Sequence, residues 1–87
     1  MYLLLKEVLM SGFRQPFEKL GQQEKQILLL LSGGRSDGEI AKAMFLGEGT
    51  IRNYVNSILS KLELMDRAAA ASYALKHNLR RHLGYSD

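Results

Sequence analysis

The chain contains no cysteine. Disulfides, thiolate-held zinc and thiol catalysis are therefore excluded, and the absence suits a cytoplasmic protein. Its two histidines, His77 and His82, are too few for most metal sites, and no HExxH-type spacing surrounds them. Neither a metal nor a cofactor is expected. There is no tryptophan and one proline, Pro16, but four tyrosines and three phenylalanines remain, which argues against low-complexity disorder. The longest apolar runs, residues 2–5 and 27–31, fall far short of the roughly 18 residues that a membrane span needs. No basic stretch precedes a long apolar one, so no secretory signal is expected. Internal repeats and strand-like alternation are also missing. The carboxylates have no evident paired partner, no nucleophile constellation is present, and no glycine-rich loop follows a strand. An enzyme is therefore not expected.

What is present fits one small helical domain. Of 87 residues, 46% are apolar and 24% charged, ordinary values for a globular chain. A domain of this size buries only about 60% of its unfolded surface, so every helix must contribute to the core. The net charge of +3 and a pI near 9.4 suit an anionic partner such as nucleic acid.

Residues 47–62, G-E-G-T-I-R-N-Y-V-N-S-I-L-S-K-L, organise the rest. Ile51, Val55, Ile58, Leu59 and Leu62 recur at helical spacing and make one apolar stripe. Arg52, Asn53, Asn56 and Ser60 project from the other side. A merely solvated face would carry Glu and Lys pairs. Arginine and asparagine are the side chains that make paired hydrogen bonds to guanine and adenine edges in the major groove. Thr50, Tyr54, Ser57 and Lys61 flank that face, within reach of phosphates. The stretch reads as a recognition helix.

Around it the chain reads as helices joined by short turns. Residues 1–19 form a linker or short helix, with Tyr2, Leu5 and Leu9 on one face, ended by Gly12 and by Pro16. Residues 22–32 form a largely buried helix with Glu24 in its first turn, stopped at Gly33-Gly34. Ser36-Asp37-Gly38-Glu39 is a capping box that opens a helix burying Ile40, Ala41, Met44 and Phe45. Gly47 occupies the next cap position and supplies no side-chain acceptor. Two helices joined by about three residues including glycine have the helix-turn-helix spacing. Asp66 caps a last helix, residues 67–78. Ala68, Ala71, Ala74 and Leu75 should face its core, while Ala69, Ala70, Tyr73 and His77 make a small-residue surface of the kind found at interfaces. Arg80, Arg81 and His82 begin a frayed basic tail, residues 80–87.

From about residue 20 to 79 the sequence resembles the LuxR/NarL-type (GerE- or FixJ-type) DNA-binding domain. The resemblance is carried by G-x-S-x-x-E-I-A from Gly34 to Ala41 and by M-F-L-x-E-G-T-I-R-N-Y-V from Met44 to Val55. It continues in I-L-x-K-L from Ile58 to Leu62 and D-R-x-x-A-A from Asp66 to Ala71. It implies an all-α, tetrahelical helix-turn-helix bundle that binds double-stranded promoter or operator DNA and regulates transcription. It further implies base reading by Arg52, Asn53 and Asn56, phosphate contacts from Thr50, Lys61, Ser36, Lys42 and Tyr54, and a homodimer through the surface of Ala69, Ala70, Tyr73 and His77. RNA polymerase is an implied further partner, and no membrane is. Residues 2–7, Y-L-L-L-K-E, faintly resemble a segment of receiver domains, which points to the output domain of a two-component response regulator. The chain departs from the family pattern at Gly21, Gly47, Gly49 and Gln22. An alternative reading is an interaction module that pairs with a related regulator and modulates it.

Overall fold

The computed structural model describes residues 16–85. The short helix expected within residues 1–15 lies outside them. Five helices follow a turn at residues 16–20: α1 (Gln22–Ser32), α2 (Asp37–Met44), α3 (Glu48–Leu62), α4 (Arg67–Lys76) and the single-turn α5 (Leu79–His82). Among the described residues no helix is long and apolar enough to cross a membrane.

Local chemistry sets each boundary. Glu24 reaches back from α1 to the Gly21 amide at 2.9 Å, giving that helix half of a capping box although Gly21 has no side chain. Gly34 closes α1 at φ +84°, a conformation open to glycine without strain. Ser36 Oγ accepts from the Glu39 amide at 3.2 Å, and Glu39 accepts from the Ser36 amide at 2.9 Å, which completes the predicted box. Asp66 accepts from the Ala69 amide at 2.8 Å and starts α4. Two non-glycine residues end helices in the left-handed region, Phe45 at φ 57° and Glu63 at φ 56°. Each is followed by an amide that closes the turn, Leu46 to the Ala41 carbonyl and Leu64 to that of Leu59, both at 2.9 Å.

The central element is α1, which touches each of the other four helices. Ile27, Leu28 and Leu31 of α1 meet Ile40 and Ala41 of α2, Ile51, Val55 and Ile58 of α3, Ala70 and Ala74 of α4, and Leu79 of α5. Phe17 and Leu20 complete this core from the turn before α1. Three expectations are corrected here. Phe45 is 94% exposed rather than buried, because its left-handed backbone at the end of α2 turns the side chain out of the bundle. On α4, Ala68 and Leu75 face solvent and Ala70 joins Ala74 in the core. The residues read as a frayed tail begin with the turn of α5, whose Leu79 is buried, while Arg80 sits over the Tyr85 ring at 5.6 Å.

Candidate nucleic-acid interface

The amphipathic pattern of α3 decides which side of it stays free. Ile51, Val55 and Ile58 are buried, and Leu59 and Leu62 are half-buried against the core. A helix glued down along that edge must present the opposite one, and Arg52, Asn53, Asn56 and Ser60 are all exposed. The three residues expected to read bases thus share one uncovered face. Thr50, Asn53, Tyr54 and Ser57 line a shallow open groove beside it.

The residues expected to touch phosphates divide into two groups. Thr50 and Lys42 are exposed at the start of α3 and near the end of α2, and Ser36 is exposed at the start of α2. No side chain caps α3, so its first-turn amides are a ready anion site. Tyr54, Ser57 and Lys61 instead have partners on α1. The Tyr54 hydroxyl donates to Gln23 at 2.9 Å, and Ser57 Oγ donates to Glu24 at 3.2 Å. Lys61 Nζ donates to Glu24 at 2.7 Å. Burial pushes the Glu24 carboxyl up, but the bond and charge of Lys61, the Gly21 amide and the Ser57 hydroxyl outweigh it and hold the group below its ordinary range. Glu24 is therefore a clamp that fixes α3 on α1. Sequence reasoning gave Glu24 only a place in the first turn. A buried acid paired with a lysine 37 residues later has no local signature.

A second carboxylate was also missed. Asp37 accepts from Arg67 Nη1 at 2.6 Å, and its other oxygen lies 3.9 Å from Arg52 Nε. The Arg52 side chain nevertheless remains 65% exposed.

The surface assigned to a partner is partly used within the chain. Ala70 is fully buried and cannot form part of a contact between copies. The Tyr73 ring packs edge-on against Phe17 at 5.7 Å and its hydroxyl donates to the Pro16 carbonyl at 2.8 Å; burial pushes that phenol up. His77 lies against Tyr73 at 4.4 Å and against Phe17 at 6.3 Å. Ala69 is half-buried. The solvent side of α4 carries Ala68, Ser72 and Leu75, with Met65 exposed just before the helix.

Residues 18–74 match the family described as bacterial regulatory proteins, luxR family (GerE). The chain is 39% identical over 66 residues to the uncharacterized transcriptional regulatory protein YhcZ of Bacillus subtilis, covering 76% of this chain and 31% of that protein. It is 46% identical over 63 residues to the response regulator protein VraR of Staphylococcus aureus, covering 72% of this chain and 30% of that one. The VraR of Staphylococcus epidermidis gives the same figures, 46% over 63 residues. The chain thus spans about a third of the length of these curated relatives.

Proposed function

Because the chain belongs to the LuxR (GerE) family, a non-enzymatic family of helix-turn-helix DNA-binding domains that regulate transcription, we propose that α3 reads double-stranded DNA sequence-specifically in the major groove. The observation that carries this reading is the uncovered face of Arg52, Asn53 and Asn56 on a helix whose apolar edge is buried. Arg52 suits a guanine edge, and the two asparagines suit adenine edges. Thr50, Lys42, Ser36 and the open amides of α3 hold the phosphates on either side. Lys61, whose ammonium has two more donors than the one Glu24 takes, adds to them from the side that α1 supports, while Tyr54 and Ser57, expected to join it, give their hydroxyl protons to Gln23 and Glu24.

The protein works in the cytoplasm as the output part of a response regulator, by likeness to the relatives named as such, and it communicates with RNA polymerase at the promoter. It pairs with a second copy through the solvent side of α4, where Leu75 is 69% exposed. Of the surface first expected for that contact, Ala69 remains at its edge, while Tyr73 and His77 support it from behind. The test is a selection of duplexes from a random pool, followed by fluorescence anisotropy on the selected duplex. Arg52→Ala should cost about 1–3 kcal/mol and relax base choice at one position. Unchanged affinity in that variant removes Arg52 from the reading set. A chain that forms dimers yet selects no sequence supports instead a module that pairs with a related regulator.

A further inference from the structure

The arginine on the reading face has a neighbour that DNA binding alone does not explain. Asp37 begins α2, next to the exposed face of α3, and its side chain is only 18% exposed. A carboxylate there opposes the approach of phosphates. The start of α2 is already capped by Ser36 and Glu39, so the capping does not call for it. Its two oxygens face different cations: Oδ1 accepts from Arg67 at the start of α4, and Oδ2 faces Arg52 on α3. The short bond of 2.6 Å to Arg67 fixes the carboxylate. The longer separation of 3.9 Å leaves Arg52 restrained in direction but free at its tip.

We propose that Asp37, braced by Arg67, is a positioning residue for base reading. It keeps the Arg52 guanidinium over the groove-facing side of α3 and draws it away from the phosphates on that flank. The cost is general affinity, and the gain is discrimination. This proposal rests on the DNA-reading function given above.

The test measures the 87-residue chain by anisotropy on the selected duplex, on duplexes carrying single base-pair changes, and on a random duplex, across a salt series. Asp37→Asn should lose about tenfold of the discrimination at the base pair that Arg52→Ala relaxes. It should also bind the random duplex more tightly, with a salt dependence steeper by about one ion, as Arg52 settles on a phosphate. In the Arg52→Ala background, Asp37→Asn should change discrimination no further. Arg67→Gln should lower the melting temperature and lose part of the discrimination, since the carboxylate that faces Arg52 is no longer fixed. Should Asp37→Asn not fold, Asp37→Glu keeps the charge at the helix start and still shifts discrimination by moving the carboxylate. The proposal is overturned if Asp37 variants weaken all duplexes equally without changing discrimination, as a purely structural ion pair would. A wild-type chain that selects no sequence overturns the DNA-reading function and this inference with it; selection untouched by Asp37 variants overturns the inference alone.

Discussion

Gly49 shows how a single position shapes the DNA face. It lies in the first turn of α3, and a Cβ added there would meet no atom within 4 Å. Packing therefore does not require glycine, and the residue leaves a gap beside Thr50 and Arg52. Gly49→Lys should tighten binding to every duplex alike and steepen the salt dependence of log K by about 0.9, one added phosphate contact. An anisotropy series at several salt concentrations checks this. Gly47 is the complementary case, a cap without an acceptor. Gly47→Ser should raise stability by a few tenths of a kcal/mol, measured by denaturant unfolding. Both departures were visible in the sequence because a glycine stands where a polar side chain is expected. Phe45 was not so legible. It is apolar at a position that continues the stripe of α2, and only the left-handed turn that ends the helix sends it outward.

At the scale of elements, the reading helix depends on what holds it to α1. Glu24 accepts from Gly21, Ser57 and Lys61 and so ties the start of α1 to the second half of α3. Glu24→Gln should cost about 1–3 kcal/mol, because three donors lose a charged acceptor in a mostly buried place. Its pH dependence has a definite sign. The folded carboxyl is held below its ordinary value of 4.5, so its contribution is complete above that value and is lost as pH falls through the folded value. Wild type should lose stability on acidification below about pH 4.5, and Glu24→Gln should lose less over the same interval. Urea unfolding at a series of pH values measures both. The helices themselves were legible, since spacing and caps are local: α1 and α3 run as the sequence reading placed them. The rotation of α4 was not. Its run of alanines carries almost no apolar contrast, and several faces serve equally well on paper. The Asp66 cap, the Arg67 bond to Asp37 and the packing of Tyr73 on Phe17 select the face of Ala70 and Ala74.

At the scale of the whole molecule, the core draws on a residue ahead of α1. Phe17 is fully buried and touches Tyr73, His77 and His82, so α4 and α5 close over a residue that precedes α1. A chain shortened to start at Gly21 loses both Phe17 and Leu20 from the core. It should be less stable by at least the about 3–5 kcal/mol expected for one buried phenylalanine, and Phe17→Ala in the full chain should account for much of that loss. Thermal unfolding of the two chains tests this.

The amino-acid sequence alone determined the helical class, the bounds of α1 and α3, the starts of α2 and α4, and the polar face of α3, because periodicity, caps and turn glycines act over a few residues. Only the tertiary structure decided which lysine meets Glu24, which arginines share Asp37, which side of α4 is spent on the core and that Phe17 joins that core. Those outcomes rest on contacts between residues tens of positions apart, whose strength depends on burial and mutual geometry, and neither exists until the helices have packed.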